Sequence, residues 1–194
     1  RLTELCISFK LPTLGEQFGV GATVLGNDQL RPESGLALDV GGRGEIAAHR
    51  DVRLAAELTG FVRAAEDRIA YERSSFGALR PYNLDSARVL GLELTAAARF
   101  FGVLEAGGSL TLSDPRDTSE DRTTANDILP FEARLSAAPS LALRLRDLVD
   151  TIHWDEALLR TLLVYRAPRT ADPAGLIELP AQVLLDVEGS GGFD

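Results

Sequence analysis

The stretch PFEARLSAAPSLALRL, residues 130–145, decides the fold. Phe131, Ala133, Leu135, Ala137, Pro139, Leu141, Leu143 and Leu145 fall on one parity, and Glu132, Arg134, Ser136, Ser140 and Arg144 on the other. Successive side chains of a β-strand point to opposite faces, so a period of two reads as a strand with one apolar and one polar face. Ordinary strands run about five or six residues, and this run is far longer. Pro139 breaks the chemistry but not the parity. Lacking a ladder donor, it predicts a bulge within one continuous strand. A tight turn at Ala138-Pro139-Ser140 would instead split the run into two short strands. The unbroken parity favours the single strand.

The same alternation recurs outward from this stretch. Residues 104–113 set Leu104, Leu110 and Leu112 against Glu105, Ser109 and Thr111. Residues 86–100 set Leu90, Leu92 and Leu94 against Gly91, Glu93 and Arg99, and residues 52–64 set Leu54, Leu58 and Val62 against Arg53, Glu57 and Arg63. Residues 35–45 do likewise, and weaker strands fit 2–10, 157–166 and 177–189. This predicts about eight strands and no helix. Charges recur in strand centres, opposite the leucines. A sandwich keeps its strands short. A membrane barrel uses long strands, with the apolar face towards lipid and the polar face towards a wet lumen.

The connectors fall into two kinds, as the two ends of a membrane barrel do. Short ones are predicted at 46–51, 101–103 and 146–155, and long polar ones at 11–33, 72–85, 114–129 and 167–178. The expected fold class is therefore all-β, part of an antiparallel up-and-down transmembrane barrel. No apolar run reaches the roughly 18 to 20 residues of a membrane helix.

Composition narrows the function. A net charge of -9 argues against nucleic-acid binding, which needs a clustered positive field. The single cysteine cannot form an internal disulfide, and the absence of methionine suggests an internal piece of a longer chain. His49 and His153 lie far apart, without metal-ligand spacing. Cys6 reads as a small buried or lipid-facing residue. The glycine-rich stretches at 19–23 and 40–45 lack the helix a phosphate cradle needs. Asp114, Asp117, Glu120, Asp121 and Asp127 read as a solvated acidic loop. No acid–base pair or nucleophile stands out, so neither an enzyme nor a cofactor is expected. Phe100, Phe101 and Trp154 flank predicted short turns, where a barrel places an interfacial girdle.

Specific phrases then stand out. FKLPTLGEQFG at 9–19 and VLGNDQLRPESG at 24–35 resemble a signature of TonB-dependent outer-membrane receptors, through Phe9, Pro12, Thr13, Glu16, Phe18, Gly26, Asn27, Leu30, Pro32 and Glu33. Lys10 and Asp28 depart from the family's usual arginine and proline. Asp67, Ile69 and Tyr71, then Asn83, Ala87, Gly91 and Glu93, continue the likeness, and later phrases extend it over essentially the whole chain. Pro12 and Pro32 suit strand exits, Asn83 a turn, and Gly91 a bulge or close packing at the polar face.

The resemblance implies an outer-membrane active-transport receptor of a Gram-negative bacterium. Such a protein imports a scarce ligand, a ferric siderophore or cobalamin, with energy delivered through TonB. Its partners would be the outer-membrane bilayer, the plug domain, the remaining barrel strands, TonB and the cargo. Residues 1–194 would form part of a single barrel domain, without the plug and without the last strands. Unpaired edges are not tolerated in lipid, so such a piece should not form a stable inserted barrel alone. Cargo capture by extracellular loops would place Phe76, Arg80 and Tyr82 as contacts; an upper interfacial girdle accounts for the tyrosines equally well. The rivals are a passive porin or structural barrel and a soluble β-rich binding domain.

Overall fold

The computed structural model describes residues 2–74, 76–120, 126–144 and 156–192. In chain order the elements are β1 (Leu2–Lys10), α1 (Leu14–Phe18), β2 (Glu33–His49), β3 (Val52–Arg73), β4 (Leu79–Phe100), β5 (Leu104–Asp117), β6 (Leu135–Arg144), β7 (Glu156–Arg166), β8 (Arg169–Thr170), β9 (Glu178–Leu179) and β10 (Gln182–Gly192). Eight of them form one antiparallel sheet in the order β1-β2-β3-β4-β5-β6-β7-β10. β8 and β9 pair separately, inside the connector between β7 and β10. The sheet is an up-and-down meander, open at β1 and β10.

Registers carry one face across the sheet. Gly42 lies opposite Leu58, then come Leu94, Leu110, Ala137, Tyr165 and Val183, one residue from each successive strand. The adjacent row runs Arg43, Glu57, Thr95 and Ser109. On this polar face Glu105 accepts from Arg99 at 2.6 Å and from Arg144 at 2.9 Å. The apolar face is uncovered: Leu5, Ile7, Leu38, Val40, Leu58, Val62, Leu92, Leu112, Leu141 and Leu163 are all exposed large hydrophobics. A water-soluble sheet buries such a face under a second layer. Among the described residues no second layer exists.

Residues 130–145 do not form a hairpin, and their strand is β6. It is shorter than expected, because Phe131 takes a φ of +64° and donates its N–H to the Thr170 carbonyl instead of joining the ladder. Leu145 lies outside the described residues. The expected bulge at Pro139 is also corrected. Ala137 pairs with Tyr165 and Ser140 with Leu162, so the register does not shift and the ladder to β7 is simply interrupted between them. On the other side Pro139 faces Gly108, where an added Cβ would lie 2.7 Å from the proline Cα.

Several boundaries move. The predicted long connector 72–85 is mostly strand: β3 and β4 each run 22 residues, leaving only 74–78 between them. Asn83 is consequently a strand residue opposite Ile69, not a turn residue. β5 continues to Asp117, so Asp114 and Asp117 belong to a strand; Asp121 lies outside the described residues. The last strand is Gln182–Gly192, where 177–189 was expected. The predicted short turn at 146–155, with His153 and Trp154, lies outside the described residues. The helix α1 was not expected at all. Cys6 is exposed and lies opposite Ala37, on the parity of Glu4 and Ser8, so it belongs to the polar face instead of a buried or lipid-facing position. Gly91 shows close packing and no register shift: its position lies under the Phe61 ring, and an added Cβ would sit 2.2 Å from Phe61 Cζ. Arg63 in turn stacks over that ring at 4.6 Å.

Candidate functional site

The long connectors gather at one end of the sheet, around the part of the β3–β4 hairpin that rises beyond the apolar rows. Residues 11–32, between β1 and β2, form a strap that docks on this hairpin. Thr13 caps α1: its hydroxyl accepts from the Glu16 N–H at 3.2 Å, and the Glu16 carboxylate accepts from the Thr13 N–H at 2.7 Å. This is a reciprocal capping box. Glu16 also accepts from the Thr13 hydroxyl at 2.9 Å and the Tyr71 hydroxyl at 3.0 Å, and it pairs with Lys10 at 3.4 Å. At 5% exposure, Glu16 is the buried charged residue of the described chain. Burial pushes its carboxyl up, but the Thr13, Tyr71 and Lys10 donors outweigh that and hold it below the ordinary value. Burial and the adjacent Glu16 carboxylate push the Tyr71 phenol up.

Asparagines fasten the rest of the strap. Asn27 receives a position from the Glu16 carbonyl, which accepts its N–H at 2.9 Å, and its amide donates to the Pro81 carbonyl at 2.9 Å. The Asn83 side chain accepts from the Arg31 N–H at 2.8 Å and donates to the Arg31 carbonyl at 3.0 Å, imitating one rung of a ladder. It also donates to the Asp67 carbonyl at 2.7 Å. Glu33 accepts the Ile69 N–H at 3.1 Å, in the place where β2 has ended and β3 continues. Leu30 and Pro81 are buried between strap and hairpin. The backbones of Thr23 and Leu25 bond to Leu79.

Asp67, with a φ of +53°, breaks the β3–β4 ladder without shifting it. A non-glycine residue in that region needs neighbours that hold it there. Arg31 binds its carboxylate at 2.7 Å and Asn83 its carbonyl. Arg31 also reaches Asp85 at 3.2 Å. Above this break the two hairpin faces carry different loops. Tyr71 and Asn83 meet the strap, while Arg68 pairs with Glu132 at 2.7 Å and lines the polar-face cavity with Phe61, Arg63 and Glu93.

On that second face lies a cleft of about 170 Å³, lined among others by Arg68, Tyr82, Leu84, Asp117, Leu129 and Phe131. Burial, then Glu72 and Asp117, push the Tyr82 phenol up. Of the residues expected to touch cargo, Arg80 and Tyr82 share a face of β4, and Tyr82 lines this cleft. Phe76 stands 98% exposed at the hairpin tip, away from the cleft.

The structure thus brings Glu16, Asn27, Leu30, Glu33 and Asn83 into one network. Pro12 lies just beyond β1 and Pro32 just before β2, while Gly91 and Glu93 sit lower in β4. Arg31, Asp85, Arg68 and Glu132 were not singled out as site residues, and contacts distant in sequence reveal them; Asp67 was legible as a family word but not as the partner of Arg31. The Thr13-x-x-Glu16 spacing was a legible helix-start signal that the strand pattern overshadowed. Among the described residues no group of three metal-ligating side chains occurs, and no helix is long and apolar enough to cross a membrane.

A long-stranded meander with an exposed apolar face, a charged opposite face and elaborate loops at one end is part of a β-barrel of the outer-membrane type. Residues 7–193 match the family described as "TonB dependent receptor-like, beta-barrel", and the chain belongs to it. The fold is similar to that of the copper transporter OprC, with a TM-score of 0.62 and 20% identity over 96% of this chain and 28% of that one. It is also similar to the ferric yersiniabactin uptake receptor FyuA from Yersinia pestis, with a TM-score of 0.64 and 20% identity over 95% of this chain and 26% of that one. The chain therefore spans about a quarter of either solved structure. No curated protein sequence matches it.

Proposed function

We propose that this chain is one section of the barrel wall of an outer-membrane active-transport receptor, a single barrel domain completed by a plug and further strands. The apolar face meets lipid, the polar face meets the plug and the wet lumen, and the strapped β3–β4 hairpin stands on the extracellular side. The observation that carries this reading is the sheet's division into an uncovered leucine face and an ion-paired polar face in a chain of this family. The cargo is a scarce chelated nutrient of the siderophore or cobalamin type, taken up with TonB-delivered energy. No bond is made or broken. Phe76, Arg80 and Tyr82 contact the cargo, Phe76 from the tip and Tyr82 from the cleft.

Uptake of candidate ferric siderophores and cobalamin by cells carrying the complete receptor tests this. Uptake that stops when the proton-motive force is collapsed or TonB is removed supports the reading. Uptake that continues assigns the chain to a passive pore. A complete protein that folds and stays monomeric in water without detergent would identify a soluble β-rich domain.

A further inference from the structure

The strap is built inside out. From residue 11 to residue 27 it turns its one carboxylate inward and leaves its large apolar side chains exposed. Leu14 is 75% exposed and Phe18 is 74% exposed, and Leu11 and Val20 are exposed as well. Of residues 11–27, only Glu16 ionises, in a chain where a quarter of all residues are charged. That charge is buried and paired with Lys10. A segment standing in water has no reason to hide its one charge and present leucine and phenylalanine; the strap's other charges, Asp28 and Arg31, both fall where it returns to β2.

Much of the backbone at both ends of this stretch is bonded within the strap or to the hairpin. Gln17 donates to Thr13, Gly19 to Gly15, Val20 and Val24 exchange a bridge, Leu25 donates to Leu79, and Asn27 donates to Glu16. Such bonds lower the cost of setting this segment against an apolar medium. The exposed row of β1, Leu5, Ile7 and Phe9, lies on the sheet's apolar face and runs directly into Leu11. The strap also docks on the hairpin face opposite Arg68, which reaches the polar-face cavity. Its hairpin contacts, Tyr71 and Asn83, thus lie on the side away from that cavity.

We infer that the strap is a membrane-interface anchor: Leu11, Leu14, Phe18 and Val20 enter the acyl boundary of the outer leaflet and extend the lipid-facing belt above the end of β1. The occupant is lipid, because the exposed apolar row of β1 passes through Phe9 into the equally exposed Leu11 and Leu14 of the strap. Glu16, Asn27 and Asn83 hold the strap against the wall so that its apolar side stays turned to the bilayer. This rests on the barrel reading above.

The test is spin-label accessibility in the complete receptor, in a cysteine-free background that includes Cys6→Ser, reconstituted in vesicles of phosphatidylethanolamine and phosphatidylglycerol. Labels go on Leu14→Cys, Phe18→Cys, Val40→Cys in the belt and Phe76→Cys at the tip. The strap labels are expected to collide with dissolved oxygen more than with a neutral nickel chelate, as Val40→Cys does, while Phe76→Cys shows the reverse. Strap labels as open to the chelate as Phe76→Cys, beside an oxygen-accessible Val40→Cys, overturn the anchor alone. Strap labels shielded from both reagents overturn it in favour of a protein cover, such as a second copy. A chelate-accessible Val40→Cys overturns the barrel reading and the anchor with it.

Discussion

Replacing Gly91 with alanine adds one methyl group in the middle of β4, where it meets two neighbours at once. The new Cβ would lie 2.2 Å from Phe61 Cζ and 2.5 Å from Phe61 Cε1, and 2.7 Å from the Leu112 carbonyl oxygen. Unstrained carbon contacts need about 3.5–4.0 Å, so the ring must move by more than an ångström. Phe61 is buried and Arg63 stacks on it, so the ring has little room. The Leu112 oxygen belongs to the neighbouring strand and moves only with β5. Overpacking of this kind costs about 1–3 kcal/mol, and two simultaneous contacts place Gly91→Ala near the top of that range. Phe61→Ala costs about 3 kcal/mol through lost burial. In the double variant the ring contact is gone while the carbonyl contact persists. The double should therefore be less destabilised than the sum of the singles by about 1–2 kcal/mol. Urea titration of the complete receptor in lipid vesicles, read by the mobility of folded and unfolded bands, measures all four corners. Additivity within about 0.5 kcal/mol would refute the claim that Gly91 exists to seat Phe61.

The strap and the β5–β6 ladder supply the other tests. Glu16→Gln should loosen it by about 2 kcal/mol, a roughly 30-fold faster chymotrypsin cleavage near Phe18 at neutral pH, with the barrel still folded. Because the folded Glu16 carboxyl lies below its ordinary 4.5, its contribution is present above that value and is lost as pH falls through the depressed one. Strap opening in the wild type, read from the mobility of a spin label at Leu14→Cys because chymotrypsin itself loses activity in acid, should accordingly stay flat from neutral pH down to the ordinary carboxylate range and rise only in stronger acid; a rise centred near neutrality would contradict the latch. Asn83→Ala removes three hydrogen bonds and should release the strap by about 1–3 kcal/mol in the same assay, while Asn83→Asp, keeping the acceptor for Arg31, should fall between. Gly108→Ala would place a methyl 2.7 Å from Pro139 Cα and 2.8 Å from the Ala138 oxygen, and it should cost about 1–3 kcal/mol in urea titration; a neutral result would mean that β5 and β6 can separate locally.

What the sequence revealed and what it hid divide along a physical line. Alternation is imposed wherever one face of a strand meets an apolar medium and the other meets water. The rows through Leu58, Leu94 and Leu110 were legible for that reason. Above Asp67 the hairpin has loops and water on both sides, and Glu72, Arg73, Arg80 and Tyr82 follow no two-residue pattern. Strand therefore looked like loop. The opposite error occurred at 130–134: alternation continued by chance into a segment whose backbone bonds elsewhere, as the Phe131 N–H does. The site was legible as words but not as a network. Glu16 and Tyr71 are 55 positions apart, and Asn83 and Arg31 are 52. No local pattern encodes such contacts.

The network changes where selectivity should reside. A long extracellular hairpin joined only at its base would swing, and any cargo contact at Phe76 would have to meet the cost of ordering it. This hairpin is held on one face by the strap, through Tyr71, Asn83 and the Leu79 backbone, and on the other by Arg68 and Glu132. The ladder continues to Arg73 and Leu79, so the arm is ordered almost to its tip. Cargo therefore meets a tip carried on a preformed arm, and the ordering that binding would otherwise require has already been done by folding. It follows that loosening the strap and trimming the tip act differently. Asn83→Ala should weaken capture of any cargo the arm touches, because it mobilises the whole arm. Phe76→Ala should discriminate among cargoes, because it removes one contact and leaves the arm in place. Equal losses across cargoes for both variants, measured by uptake, would mean that the tip has no part in recognition.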